Sequence, residues 1–296
     1  MKALQDFRIF IETARHGSLS EVARQMDMTP AATSAAVKRL EAELGTALFV
    51  RSTRHLRLTH SGEAFLRQCQ QAVALIEDAA EEVRSGESVV RGTLMLSAPS
   101  DLGRNRLIGW LDAFMAQYPD IEIRLQLSDR LSNVYHQSVD LALRYGSPPD
   151  SSLIALPIFS DNCRIACASP DYLKKHGTPE NPQAFSQHNC LRFMVGDTIH
   201  SQWQFSRKEE NLLVTVSGNR TADDGEAVSR WVLSGHGIAY KSRLDIARHL
   251  ESGELVHLCP EWEGQPAPLN LMCADRRLLS PAVQALRAFL VEKCRE

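Results

Sequence analysis

The chain has 296 residues, 44% of them hydrophobic, which is enough to build proper cores and long enough for two domains. Net charge is only −3, so the whole-chain balance excludes a generally polycationic binder. The distribution carries more: up to Thr59 nine basic side chains face six acidic ones, and Lys38, Arg39, Arg51, Arg54 and Arg57 follow or flank the last acid, Glu43. That clustering concentrates positive potential on one part of the first sixty residues. Seven cysteines, with no Cys-x-x-Cys pair, read as reduced, mostly buried thiols. The N-terminus opens directly into an amphipathic pattern, and no apolar run approaches the roughly 18 residues of a membrane span, so a cytoplasmic protein is expected.

In chain order, Leu4, Phe7, Phe10 or Ile11, and Ala14 recur at helical spacing, and Gly17 stops that helix. Ser18 and Glu21 form an S-x-x-E capping box for a second helix with Val22, Ala23 and Met26 inward. Thr29 and Pro30 supply an N-cap and a first-turn proline for a third helix, which runs to Gly45 with Val37, Leu40 and Leu44 as its buried stripe. Leu48–Val50 and Leu56–Leu58 read as two short strands around a basic tip. From Ser61 to Gly86, Phe65, Cys69, Ala72, Ile76, Ala79 and Val83 alternate in steps of four and three, the signature of a helix paired with its own copy; a helix packed on its own domain is the alternative.

After Gly92 strands alternate with helices, the texture of a mostly parallel sheet. Strands are predicted at 93–98, 121–127, 139–144, 164–168, 212–216 and 238–240, and helices at 104–118, after Ser169-Pro170, at 224–234 and after Ser280-Pro281.

Two helices joined at Asp27, Met28 and Thr29 fit a helix-turn-helix, and the basic hairpin behind them can grip phosphate while the third helix reads base edges. These residues resemble the LysR-type transcriptional regulators. Positions 7–66 carry the match in order: helix, turn, helix, RLEAELG at 39–45, the Leu48-Phe49 pair, R-S-T-R at 51–54 and the L-T-x-x-G that opens the linker helix at Leu58. It continues through SAPSDLGR at 97–104, 114–130, VDLALRYG at 139–146, 168–179, HNCLRF at 188–193, DDGEAV at 223–228 and GHGIAY at 235–240.

The resemblance implies a winged helix-turn-helix domain (1–60), all-α apart from its wing, and a long dimerisation linker helix (61–88). These precede an α/β effector module (92–296) of two Rossmann-like subdomains, similar to periplasmic binding proteins, with 92–163 and 268–296 in one and 164–267 in the other. By the same resemblance Thr29, Pro30, Ala31, Ser34 and Lys38 meet DNA, with Arg51 and Arg54 in the wing and Ser18 counted with them. Ala35 stands where many members carry arginine, and Thr33 where an aliphatic is usual. Losing that arginine removes a guanine reader worth roughly 1–3 kcal/mol of discrimination. The effector set is Ser97, Ser100, Asp101, Ser128, Tyr145 and Gly146 at strand ends, with Phe193, Thr221, Gly237 and Ile238 opposite; helix capping is the alternative role for Ser100 and Thr221. Arg144 has an alternative partner in a carboxylate of its own subdomain.

The expected partners are double-stranded promoter DNA, a second copy of the chain as homodimer or homotetramer, and RNA polymerase as a candidate contact. No membrane, metal or cofactor is expected beyond a small-molecule effector. An α/β enzyme or a solute-binding protein without sequence-specific DNA binding is the competing reading. Against an enzyme stands the lack of G-x-S-x-G, G-x-x-x-x-G-K-[ST], H-E-x-x-H or a strand-associated G-x-G-x-x-G.

Overall fold

Residues 2–51, 56–85, 90–129, 141–146, 153–195, 198–273 and 280–295 are described by the computed structural model, and the chain separates into two units, Met1–Val89 and Val90–Glu296.

In the first unit α1 (Lys2–His16) ends at Gly17, whose φ of 64° is the left-handed conformation that glycine tolerates best. In α2 (Leu19–Gln25) only half of the capping box forms: the Ser18 hydroxyl accepts from Glu21 N, while the Glu21 carboxylate turns to Arg24 instead of reaching back. The Thr29 hydroxyl accepts from Ala32 N at 3.2 Å, Pro30 opens α3 (Pro30–Leu44), and Gly45 closes it in the left-handed region. Thr33, Ala36, Val37 and Leu40 face the core with Ile9 and Phe10, but Leu44 is exposed, so the helix's inward stripe stops at Leu40.

Strands β1 (Phe49–Arg51) and β2 (Leu56–Leu58) pair antiparallel. The Glu41 carboxylate accepts from Leu48 N at 2.8 Å and Phe49 N at 3.1 Å, fastening the start of the hairpin to α3. Helix α4 (His60–Ser85) follows, with Gly62 N donating to the Thr59 hydroxyl. Phe65 packs on Phe7 and Phe10, and Cys69 and Val73 are buried in the same core. Cys69 is therefore packed within its own domain, and Phe65 is half-buried there. Ala72 and Ile76 are exposed, and the side chains of Ala79 and Val83 lie outside the described residues.

The second unit has two halves. One is a five-stranded sheet in the order β4-β3-β5-β16-β6, from β3 (Gly92–Ala98), β4 (Ile121–Leu127), β5 (Leu141–Tyr145), β6 (Ile154–Phe159) and β16 (Leu269–Cys273). Its core joins these strands to α6 (Ile108–Gln117) and to the final helix Pro281–Lys293 through Trp110, Phe114, Leu286 and Phe289. Between β3 and α6 run α5 (Ser100–Leu102) and a π turn, Gly103–Leu107. There a Cβ on Gly103 would stand 2.2 Å from Leu127 Cδ2, so a larger residue would have to displace the Leu127 side chain for the turn to lie on β4.

The other half centres on β12-β8-β13-β7-β14: β7 (Arg164–Ala168), β8 (Cys190–Val195), β12 (Thr221–Ala222), β13 (Ile238–Ser242) and β14 (Val256–His257). Alternate residues of β7 feed two cores, Ala166 and Ala168 toward Trp203 and Phe205, Ile165 and Cys167 toward Val228, Val232 and Ile246, as the two-residue period of a strand requires.

The sheets are mixed where a mostly parallel one was predicted. β4-β3-β5 and β12-β8-β13 are parallel, while β16, β6, β7 and β14 run antiparallel to their neighbours. The reversal comes from two chain crossings between the halves, the segments after β6 and before β16, which pair through Arg164 N to Gln265 O and Ala267 N to Asn162 O, both 2.8 Å. Asn162, 2% exposed, locks that crossing: its side-chain amide donates to Ala267 O and the Ser242 hydroxyl, and its carbonyl oxygen accepts from Leu244 N.

Candidate functional site

The first candidate surface is the exposed side of α3. Thr29, Pro30, Ala31, Ala35 and Lys38 are exposed and Ser34 half-buried, while Thr33 is buried and bonds its hydroxyl to Thr29 O. Pro30, Ala31, Ser34 and Lys38 follow the three- and four-residue spacing of one helical face. The Asp6 carboxylate holds Arg39 by two bonds of 2.7 and 3.1 Å, tying α3 to α1 and fixing the helix without spending Lys38. Ser18 is half-buried as the N-cap of α2. Arg51 ends β1, its side chain outside the described residues, and Arg54 lies outside them altogether.

The second is a cavity of about 110 Å³ between the halves of the second unit, lined by Pro99, Asp101, Asp129, Arg144, Tyr145, Arg164, Phe193, Gly225, Tyr240, Lys241 and Asp245. Asp101, Tyr145 and Phe193 of the predicted set are brought together here. The other predicted residues do not line it among those described, for identifiable reasons. Ser97 is fully buried and accepts from Arg144 Nη2 at 2.7 Å. Ile238 is core. A Cβ at Gly237 would lie 2.3 Å from Asn189 O, so that glycine serves backbone packing. Gly146 turns the chain at φ 85°, donating to Pro268 O; Ser128 N bonds Ala98 O; Thr221 pairs with Arg192 in β12.

Ser100 does cap a helix, but one from the opposite half. Its hydroxyl accepts from Glu226 N at 3.3 Å, and the Asp129 carboxylate accepts from Gly225 N at 2.9 Å and from the Ser100 backbone and hydroxyl. Both therefore sit at the N-terminus of Gly225–Leu233, where helix N–H groups lack internal partners. Asp224, that helix's N-cap, is held below its ordinary value: burial pushes it up, and the Ala227 N–H and the Arg104 guanidinium outweigh that.

Deeper, Lys241 Nζ stands 2.6 Å from Asp101 Oδ2 and donates to Gly225 O at 2.8 Å, with both charged side chains almost fully buried. Ser229 Oγ and Asn105 Nδ2 also donate to Asp101, so this carboxylate from one half is wrapped by donors from both. Burial lowers the lysine's proton affinity, yet the charges of Asp101 and Asp245 raise it above the ordinary value. Asp245 accepts from the Tyr145 hydroxyl; burial and the Asp101 charge push its carboxyl up to about 7. Burial first, then Asp245, raises the Tyr145 phenol well above its ordinary value. The arrangement can hold charge in a small cleft, and no triad of nucleophile, base and orienting group appears among its lining residues. Sequence reasoning missed Arg164, Lys241 and Asp245. A lysine directly after the run Ile238–Tyr240 and an aspartate four residues after that lysine were the available signal.

Comparison with known proteins decides the family. Residues 4–63 match the family described as bacterial regulatory helix-turn-helix protein, lysR family, and residues 87–295 the LysR substrate binding domain. The chain belongs to the LysR family of transcriptional regulators. It is similar to the HTH-type transcriptional regulator DmlR of Escherichia coli strain K12, 31% identical over 97% of this chain and 93% of that protein. It is 34% identical to the probable HTH-type transcriptional regulator LtrA of Klebsiella pneumoniae, covering 99% of this chain and 95% of that one. Among solved structures, CrgA, a LysR-type transcriptional regulator from Neisseria meningitidis, aligns over 99% of both chains at 29% identity with a TM-score of 0.63. This LysR-type regulator thus carries an N-terminal helix-turn-helix DNA-binding domain and a two-subdomain α/β effector-binding domain. No helix among the described residues is long and apolar enough to cross a membrane.

Proposed function

We propose that this regulator reads double-stranded promoter DNA with the α3 face of Pro30, Ala31, Ser34 and Lys38, and that Arg51 and Arg54 contact the backbone beside it. Ser18 and Thr29 supply polar groups at the two helix starts. The observation carrying this reading is that α3 buries Thr33, Ala36, Val37 and Leu40 and spends Arg39 on Asp6, leaving one small, polar, lysine-bearing face in solvent. Two copies reading adjacent half-sites, as a homodimer or homotetramer, suit such a short reading helix. The exposed Ala72 and Ile76 of α4 are the surface for that pairing among the described residues.

Regulation follows from a small molecule bound between Asp101 and Tyr145 on one side and Phe193 and Lys241 on the other, shifting the population of assemblies that engage DNA and contact RNA polymerase. The protein is in this reading a cytoplasmic, non-enzymatic switch without a cofactor. Band shifts of promoter fragments against random duplex test it. Lys38→Ala should weaken binding and flatten the slope of log affinity against log salt by about one unit for each lost phosphate contact. Equal retention of every duplex by the unaltered protein in moderate salt would overturn the reading.

A further inference from the structure

The cavity between the two halves is lined by three cations, Arg144, Arg164 and Lys241, and three carboxylates, Asp101, Asp129 and Asp245, so which of them pair decides what it can bind. Lys241 is spent on Asp101 and the Gly225 carbonyl. Arg144 donates to the Ser97 hydroxyl and the Leu143 carbonyl and feels the Asp129 charge. Arg164, from β7, also lines the cavity, and its guanidinium makes no hydrogen bond or ion pair among the described residues. Leaving a guanidinium half-sequestered without a partner costs free energy that an incoming anion would recover.

We propose that the ligand of this cleft is a small organic monoanion, a short-chain carboxylate, whose carboxylate group pairs with Arg164 while its apolar end lies along Phe193 and Pro99. The inference rests on reading the cleft as the effector site and names the class of effector. Size supports a short chain, since about 110 Å³ is well below the roughly 300 Å³ at which pockets for larger metabolites begin. Sign supports an anion at this point of the cavity, because Asp101 is held by Lys241 and Asp129 by Gly225 N and Ser100, while the Arg164 guanidinium has no such hydrogen bond among the described residues.

The same geometry couples the anion to a proton. The groups facing Asp245 are Asp101 from α5, Lys241 from β13, Tyr145 from β5 and Arg164 from β7. With Asp101 balanced by Lys241 and Asp129 by Arg144, Arg164 and Asp245 are the remaining opposite charges. An ionised Asp245 already offsets Arg164, and a second anion would then leave a net negative charge among these half-sequestered groups. A protonated Asp245 leaves Arg164 for the ligand. Burial and the Asp101 charge place that carboxyl at about 7, so the exchange falls within the ordinary working range. Binding therefore takes up at most one proton, and affinity falls by up to about tenfold per pH unit above that point.

The test is calorimetric titration of the full-length protein with propionate and with its uncharged isostere propionamide, at about pH 6 and about pH 8. Propionate should bind at the lower pH with heat that varies with the buffer's ionisation enthalpy, and at least about fivefold more weakly at the higher pH. Propionamide should bind at least about tenfold more weakly than propionate. Arg164→Gln should lose propionate by a similar factor, and Asp245→Asn should retain it while abolishing the pH dependence. Equal binding of propionate and propionamide by the unaltered protein, or undiminished propionate binding by Arg164→Gln, overturns the proposal; the isostere comparison needs no variant to fold. Band shifts on the same preparation separate the two readings. Promoter preference with no propionate binding refutes the ligand class alone, and propionate held by Arg164 without promoter preference refutes the regulator reading alone.

Discussion

Replacing Lys241 by methionine removes one partner of the buried Asp101–Lys241 pair. In the folded protein the ammonium sits 2.6 Å from Asp101 Oδ2 and 2.8 Å from Gly225 O, with the lysine and aspartate side chains 7% and 3% exposed. The variant keeps two donors on Asp101, from Ser229 and Asn105, but strands its charge and leaves the Gly225 carbonyl without the lysine. Stranding one member of a buried pair costs about 3–5 kcal/mol. For a unit of this size each kcal/mol moves the midpoint by roughly 2–4 °C, so scanning calorimetry should show the transition of the second unit fall by about 6–20 °C. The double variant Asp101→Asn with Lys241→Met removes both charges, and its loss should be at least about 2 kcal/mol smaller than the sum of the two single losses. A single-variant loss below about 1 kcal/mol, or strict additivity in the double variant, would refute the view that this pair is a desolvated, mutually dependent strut between the halves.

Asp245→Asn tests the proton on the neighbouring carboxyl. The folded value of about 7 lies above the ordinary 3.8, so the folded protein keeps a proton that the unfolded chain releases, and stability falls as pH rises between those values. The asparagine variant should therefore gain on the wild type as pH climbs through that window, and melting curves across pH that run parallel would contradict it. Gly237→Ala should lose about 2 kcal/mol or more in chemical denaturation, because the added Cβ meets the Asn189 carbonyl at 2.3 Å; an unchanged midpoint would return Gly237 to a ligand-contact role. On α4, Ile76→Asp should weaken self-association in sedimentation with little effect on melting, since Ile76 is 48% exposed, whereas Cys69→Asp buries a charge in the first unit's core and should unfold it. Matching behaviour of the two variants would restore a single continuous seam.

What could be read before any coordinates was what short stretches of chain decide for themselves. Thr29-Pro30, Ser169-Pro170 and Ser280-Pro281 start helices where expected because an N-cap and a first-turn proline act within one turn of backbone. The strand Ile121–Leu127 matched because its apolar residues fall at every odd position. Ile154–Phe159, Leu269–Cys273 and the helix Arg243–Glu251 were missed. Leu269–Cys273 is buried at every position, so it offers no alternation to detect. The α4 pattern carries both readings: steps of four and three describe an intermolecular seam and an inward amphipathic face equally well, and the proximity of Phe7 and Phe10 shows Phe65 packing inward while Ala72 and Ile76 stay exposed.

The cleft divides along the same line. Asp101 and Tyr145 were legible because strand ends and the turns after them are where such folds gather ligand groups. Arg164, Lys241 and Asp245 reach the cavity only because the chain crosses twice between the halves, laying β7 beside β13 in an antiparallel register that no local signal encodes. The crossing that hides the site from the sequence is also what can make it a switch. Asp101 and Asp129 belong to one half, while Lys241, Ser229 and Gly225 belong to the other, so any ligand that competes for these groups acts on the contact between the halves. An anion on Arg164 that raises the proton occupancy of Asp245 weakens that residue's pull on Lys241 and leaves Asp101 as the lysine's principal counter-charge, so ligand and proton would tighten the same strut.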